Sequence, residues 1–270
     1  MSRNMMTKAV TSRASVLDSA KTRRIYLLLR DRILNGALPP GGKLPGEPTM
    51  ATQFGISRLL VRRALDLLVA EKLVDRRPGS GTYVRDAAVA PPMTVDLADM
   101  WSHLFEMGRR TEVQLLSLSF DQPSMRLREQ LKLKPDEKVQ RAVRVRSTRG
   151  EPFSHLVSFV PESLGKSFTE ADLATTPLLK LFERSGVIPA RATQTVGAAL
   201  AGPETAERLK VDVGAPLLTL ARTVFDTKGR GIEHLEAHYR PDLYEFQMNL
   251  VRSADAKSEQ WQFDRKKSAA

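Results

Sequence analysis

Phe54-Gly55-Ile56-Ser57-Arg58-Leu59-Leu60-Val61-Arg62-Arg63-Ala64-Leu65, with Gly79-Ser80-Gly81-Thr82-Tyr83-Val84 further on, is the stretch on which the reading of this chain turns. Gly55 predicts the end of one helix and Ser57 the N-cap of the next, because a serine hydroxyl accepts from the free amides of a first turn. Val61, Ala64, Leu65 and Leu68 then recur at helical spacing and mark a face to be buried. Arg58 and Arg62 lie one turn apart on the other face. Arginines near a helix N-terminus reach base edges in a major groove, where the planar guanidinium matches guanine O6 and N7. An amphipathic helix with a solvated basic face is the plainer reading, and the flanking sequence decides between the two.

Upstream, Thr22 to Asn35 is a helical run with Ile25, Leu28, Leu29 and Ile33 on its apolar face, closed by Gly36. Pro39-Pro40-Gly41-Gly42 is a turn, Lys43-Leu44-Pro45 a short extended piece, and Glu47 to Phe54 a short helix with Pro48 in its first turn. Downstream, Lys72 to Arg77 and Thr82 to Val84 read as two strands joined around Pro78-Gly79-Ser80-Gly81. Three helices and a hairpin make a winged helix-turn-helix over residues 20–86. Glycines in the wing let its backbone approach a phosphate or a minor-groove edge closely.

The charge is distributed accordingly. Residues 1–86 carry 16 basic and 7 acidic side chains, a net of +9, whereas residues 87–250 carry 21 of each. A basic module on a neutral body is the footprint of phosphate binding, and a uniformly basic solvated surface does not produce it. At 270 residues and 41% hydrophobic content the chain has material for two cores. It has no apolar run near the roughly 20 residues that span a bilayer. Residues 1–19 read as a disordered arm without the apolar segment of a secretory signal. The absence of cysteine excludes disulfides, thiolate metal sites and cysteine nucleophiles. A cytoplasmic location is the default expectation.

Residues 87–97, with Pro91-Pro92, are expected to be a semi-rigid linker. Residues 98–250 alternate strands and helices. The predicted strands are Glu112 to Phe120, Lys138 to Thr148, Pro152 to Val160, Ala192 to Ala199, Leu217 to Asp226 and Ile232 to Tyr239, with Tyr244 to Leu250 closing the sheet. Helices are predicted at Ser124 to Leu131, Thr176 to Ser185 and Pro203 to Leu209. Hairpins with few crossovers imply an antiparallel α+β sheet. Residues 251–270 are expected to be a flexible tail.

Residues 25–86 resemble the N-terminal domain of GntR-type bacterial transcriptional regulators. The resemblance is carried by Leu44-Pro45-Gly46-Glu47, Ser57-Arg58, Val61-Arg62, Ala64-Leu65, Leu73-Val74 and Gly79-Ser80-Gly81-Thr82-Tyr83-Val84. It implies that Arg58 and Arg62 contact operator bases or phosphates and that Gly79 approaches the minor groove, with Ser57, Leu59, Arg63 and Ser80 beside them. The sequence departs from the family's pattern in having Pro48 where an arginine is usual, Gly46 where serine or alanine is usual, and Leu59-Leu60 where small polar residues are common. Leu59 is then a candidate for a thymine methyl, Leu60 for inward packing, and Arg63 for an added phosphate contact.

The second half resembles the UTRA ligand-sensing domain, which shares its fold with chorismate lyase; the combination corresponds to the HutC/UTRA subfamily. Arg144-Val145-Arg146, Gly150-Glu151-Pro152, Ser158-Phe159-Val160-Pro161, Gly214-Ala215-Pro216-Leu217-Leu218, Ile232-Glu233 and Tyr239-Arg240-Pro241-Asp242 carry it. The resemblance implies an effector pocket in which Arg144 and Arg146 take an anionic group and Glu233 and Tyr239 line the same space, with Leu156 and Ser158 nearby. Strand parity agrees, since 144 and 146 share a face, as do 233 and 239. The competing reading makes the arginines surface charges paired with Glu233 or Glu236. Leu156 stands where sugar-phosphate sensors often carry glutamate, so an organic acid is as good a candidate effector as a sugar phosphate.

His234, Glu236 and His238 share the opposite face at a spacing able to hold zinc. No other histidine joins them, since His103 and His155 stand isolated, and a hydrogen-bonded layer is the better account. No metal or cofactor is expected. The partners implied are double-stranded operator DNA, a small anionic metabolite and a second copy of the chain, giving a dimer on a near-palindrome. The rival reading is a chorismate-lyase-like enzyme fused to a DNA-binding domain.

Overall fold

The computed structural model of the chain describes residues 20–86, 92–96, 111–252 and 261–263. The predicted arm at 1–19, residues 87–91 and 97 of the predicted linker, His103, and residues 253–260 and 264–270 of the predicted tail lie outside the described residues. The chain forms two compact units, up to Pro91 and from Pro92 onward.

In the first unit helix α1 spans residues 20–34, α2 Glu47–Phe54 and α3 Arg58–Ala70. Gly55, at φ 63°, ends α2 in the left-handed region, and the Ile56 amide bonds back to the Ala51 carbonyl at 3.0 Å. Ser57 then caps α3 by accepting from the Leu60 amide at 3.4 Å. The buried face of α3 is Leu60, Val61, Ala64, Leu65 and Leu68, the last four packing with Ile25, Leu29, Leu44 and Met50. Strands β1 (Val74–Arg77) and β2 (Gly81–Val84) pair antiparallel, with Val74 opposite Val84 and Arg77 opposite Gly81. Lys43 bridges to Tyr83, so the short extended piece adds to this wing. Lys72, expected to open β1, sits instead at φ 58° in the turn after α3.

In the second unit six strands form one antiparallel sheet in the order β4 (Glu112–Asp121), β5 (Val139–Thr148), β6 (Glu151–Pro161), β9 (Gly231–Tyr239), β8 (Pro216–Asp226), β7 (Pro189–Leu200). The hairpin turns fall where the sequence places them, at Arg149-Gly150 and around Gly229, all with positive φ. Helices α4 (Met125–Leu131), α5 (Glu162–Gly165), α6 (Glu170–Thr175), α7 (Leu178–Arg184) and α8 (Pro203–Leu209) complete the unit. The single helix expected over Thr176 to Ser185 begins only at Leu178, because Pro177 stops the preceding turn; α6 before it is held by a capping box of Thr169 and Asp172. Leu178, Leu179, Leu181 and Phe182 of α7 pack with Phe168, Leu173 and the sheet residues Ala142, Val160, Val224 and Ile232.

Three expectations are corrected. Tyr244 to Leu250 does not close the sheet; β10 (Tyr244–Gln247) pairs in parallel with β3 (Met93–Asp96), which was assigned to the linker. The cause is aromatic. The buried Tyr244 ring stacks 4.2 Å from Tyr239 and 5.8 Å from Phe153, fastening the β3–β10 ribbon against sheet residues instead of at an edge. Residues 251–252 and 261–263, expected in a flexible tail, form the paired strands β11 (Leu250–Arg252) and β12 (Trp261–Phe263).

Candidate nucleic-acid interface and effector cavity

The N-terminus of α3 presents Ser57, Arg58, Leu59, Arg62 and Arg63 on its exposed side, whereas Leu60 turns inward and is buried. Leu59 is 57% exposed, an apolar side chain at the surface beside the arginines. Arg62 is held by Glu47 of α2: its Nε donates to both carboxylate oxygens at 3.2 Å and Nη2 to Oε2 at 2.8 Å. That hydrogen bond, more than simple charge attraction, keeps the Glu47 carboxyl below its ordinary range and raises Arg62. The Arg62 carbonyl in turn accepts from Arg76 Nη2 at 3.1 Å, and Arg76 Nη1 pairs with Asp66 at 2.6 Å. Arg76 belongs to β1, so the recognition helix and the wing are tied together. At the wing tip Gly79 has φ 71° and Gly81 φ 124°, values that favour glycine. Ser80 Oγ lies 2.7 Å from Tyr83 Oη, and the Arg77 guanidinium lies 4.4 Å from the centre of the Tyr83 ring. These contacts stiffen the loop that carries Gly79 and Ser80.

In the second unit Arg144 and Arg146 of β5 come together with Leu156 of β6 and Glu233 and Tyr239 of β9 around one cavity of about 50 Å³, the grouping that the resemblance implies. Arg222 of β8 joins them, and Pro177, Leu178, Leu179 and Leu235 complete the wall. Arg144 and Arg146 are 5% and 9% exposed, so they are not surface charges. Neither forms an ion pair with Glu233 or Glu236: Arg144 Nη2 donates to Ser158 Oγ at 3.2 Å and Arg146 Nη1 to Thr111 Oγ1 at 2.9 Å. Ser158 thus supports Arg144 from behind and is not part of the cavity wall. The ion pair in the cavity is Arg222 Nη2 to Glu233 Oε2 at 3.7 Å, with both side chains buried. Burial, and then the neighbouring Arg146, push Arg144 down to about 10, still charged at neutral pH; burial likewise lowers Arg146 and raises Tyr239. Three guanidinium groups against one carboxylate leave the cavity lining with an excess of positive charge.

The comparisons with known proteins give the family of both units. The family description "Bacterial regulatory proteins, gntR family" matches residues 21–84, and the UTRA domain matches residues 106–245. An HTH-type transcriptional regulator of Mycobacterium tuberculosis, Rv0792c, is 31% identical over 231 residues, covering 83% of this chain and 84% of that protein. The chain belongs to the GntR family of regulators with a UTRA domain. The HTH-type transcriptional repressor NagR of Bacillus subtilis is 32% identical over 222 residues, covering 81% of this GntR chain and 89% of its own length. The solved structure of PhnF from Mycobacterium smegmatis shares the fold, with a TM-score of 0.55 at 24% identity over 84% of this chain and 99% of that one. Among the described residues of this GntR protein no helix is long and apolar enough to cross a membrane.

Sequence reasoning missed several residues of these sites. Arg222 had a signal: it shares a strand face with Leu220 and Val224, so a charge stood on an otherwise apolar face. Leu178 and Leu179 were placed on an amphipathic helix but not in the site, because which sheet face a helix covers is not a local property. Glu47 had no signal toward Arg62, fifteen positions away. His155 is not isolated: it lies directly across from His238, ring centres 6.3 Å apart, on the face away from the cavity. His234 Nδ1 is 2.9 Å from Thr223 Oγ1 and its Nε2 lies 3.6 Å from Glu236, the hydrogen-bonded layer expected for this cluster. Among the described residues no group of three or more histidine and acidic side chains is arranged to hold a metal ion.

Proposed function

We propose that this GntR regulator binds a near-palindromic operator as a homodimer and is moved on or off it by a small anionic metabolite, acting as a repressor in the bacterial cytoplasm. Ser57, Arg58, Leu59, Arg62 and Arg63 would meet the major groove, and Gly79 and Ser80 the adjacent minor groove or backbone. Arg144, Arg146, Glu233 and Tyr239, joined by Arg222, would hold the effector, with Leu156 against its apolar part and Ser158 orienting Arg144.

The observation that carries the effector assignment is the excess of buried guanidinium over carboxylate in one cavity. Buried charge in excess of its counter-charge is costly, and an anion would offset the excess left by the described lining residues. The cavity of about 50 Å³ accommodates a few water-sized groups. A larger effector enters only as the wall carrying Leu178 and Leu179 gives way, so the bound and empty states differ in shape. That difference is what a ligand needs in order to shift an equilibrium between DNA-binding arrangements. Regulation is favoured over catalysis because the relatives named above are regulators.

Gel retardation with DNA upstream of the chain's own gene, with and without candidate sugar phosphates and organic acids, tests this. Salt-sensitive, sequence-specific retardation relieved by one anion is the expected result. Equal affinity for random DNA would overturn the operator reading, and turnover of a candidate acid would favour an enzyme.

A further inference from the structure

The effector cavity and the first strand of the second unit share one apolar cluster. Leu156, Leu235 and Tyr239 line the cavity, and the same three belong to a buried cluster with Tyr244 of β10 and Val95 of β3. The second unit begins at Pro92, so β3 is where the chain enters it from the first. Among the described residues β3 has one strand partner, β10, in a parallel register that runs from Tyr244 opposite Met93 to Gln247 opposite Asp96. Thr94 Oγ1 adds a bond to Glu245 Oε1 at 2.6 Å. A displacement of β10 is therefore passed to β3.

β10 is tied in turn to Tyr239. The Tyr239 and Tyr244 rings stack at 4.2 Å, 11° from parallel, and a side-chain hydrogen bond joins them. Phe246 meets both rings edge-on, 5.9 Å from Tyr239 and 5.2 Å from Tyr244. The turn between the two tyrosines is pinned as well. Arg240 grips Asp242 through Nε at 3.2 Å and Nη2 at 2.7 Å, and its Nη1 donates to the Pro152 carbonyl at 3.3 Å. The Met93 amide closes the assembly on the Leu243 carbonyl at 2.8 Å. The tyrosines are thus linked both through space and through the backbone.

Tyr239 stands in the cavity wall, whereas Tyr244 lies behind it and does not line the cavity. Arg146 and Arg222 of the lining are near enough to act on both hydroxyls. An anion held by these guanidinium groups meets the Tyr239 hydroxyl, which can donate to it, and so favours one placement of that ring over others.

We propose that Tyr244 is the positioning residue that carries occupancy of the cavity to β3, moving with Tyr239 and taking the β10–β3 ribbon along. The proposal rests on the effector reading above and adds the route by which binding reaches the strand where the chain enters the second unit. Packed rings and hydrogen bonds form a contiguous route, and the test of a route is coupling, not stability.

Hydrogen exchange of the full chain, followed by mass spectrometry with and without saturating inorganic phosphate as the anion, reads that coupling. In the wild type, phosphate should change exchange over β3 and β10 by about fivefold or more. Tyr244→Phe keeps the rings stacked and should respond in the same way. Tyr244→Leu, compared at saturating phosphate so that a change in affinity drops out, should respond at β5 and β9 but not at β3. A wild type in which phosphate alters β5 and β9 and leaves β3 unchanged overturns the proposal while the effector reading stands. That arm decides the matter even where the leucine variant does not fold. A folded Tyr244→Leu chain whose β3 still responds overturns the proposal too. Calorimetry that finds no phosphate binding to the wild type removes the effector reading and the route together.

Discussion

Glu233→Gln keeps the volume of the side chain and removes the one carboxylate among the three arginines of the cavity. Arg222 Nη2 and Glu233 Oε2 stand 3.7 Å apart, with side chains 7% and 2% exposed. At that separation and an effective dielectric of 20, the Coulomb attraction is about 4.5 kcal/mol. Breaking one side of a buried pair typically costs about 3–5 kcal/mol, because the other charge stays buried and loses that carboxylate. For a chain of this size each kcal/mol moves the melting midpoint by roughly 2–4 °C, so a fall of about 10 °C is expected by calorimetry. The cause is specific, and so is the rescue. Sulfate should stabilise the variant more than the wild type, because its general salting effect is common to both. The double variant Arg222→Met/Glu233→Leu should melt near the wild type, since both charges leave together. A Glu233→Gln chain melting within about 2 °C of the wild type, with no greater response to sulfate, would refute the charge imbalance on which the effector assignment rests.

Arg62→Ala should weaken operator binding by about 1–3 kcal/mol in a retardation titration while leaving calorimetric anion binding unchanged, and Arg144→Ala should do the reverse. Loss of both activities in both folded variants would break this division of labour. Glu47→Gln releases Arg62 and removes a negative charge beside it, so affinity for random DNA should rise and its log–log salt slope should steepen by about 1. Burial holds His155 and His238 below the usual histidine range, with Glu204 and Arg208 of α8, Arg141 of β5 and Glu236 of β9 as the charged groups around them. The folded state therefore binds fewer protons than the unfolded one below about pH 6.5; stability is whole above that pH and is lost as pH falls toward the folded values. Urea melts at about pH 7.5 and about pH 5.5 should show this loss, and His155→Leu should reduce it.

The first unit was legible because its signals are local. Gly55 and Ser57 mark a helix end and a helix start, and Val61, Ala64, Leu65 and Leu68 form a single stripe that the structure buries completely. Strand parity is local too, and it puts Arg144 with Arg146 and Glu233 with Tyr239, in agreement with the single pocket that the resemblance implies. What failed depends on long-range packing. Tyr244 to Leu250 reads as a strand, but nothing in it says that Tyr244 stacks on Tyr239 and draws β10 to β3. His155 and His238 are 83 positions apart and become neighbours only through the register of β6 with β9. Ser158, placed in the pocket by resemblance, proves to hold an arginine instead of facing the cavity.

The departures of the recognition helix take on a different meaning once Glu47 is seen to grip Arg62. The sequence lacks an arginine at Pro48, and its neighbour Glu47 engages the guanidinium of the arginine that remained the leading candidate for base contact. Glu47, Arg62, Arg76 and Asp66 link α2, α3 and β1 in one chain of polar contacts. On the proposed reading Arg62 then has two tasks that compete for the same donors, holding α2 to α3 and contacting DNA. An exposed ion pair is cheap to exchange, since a surface pair contributes little net free energy and a phosphate is an equally good acceptor. On that reading Glu47 would stand in for the phosphate, holding the Arg62 fork oriented until DNA displaced it. Among the described residues Arg58 and Arg63 make no comparable side-chain contact, so on the proposed reading they would meet DNA without first giving up a partner.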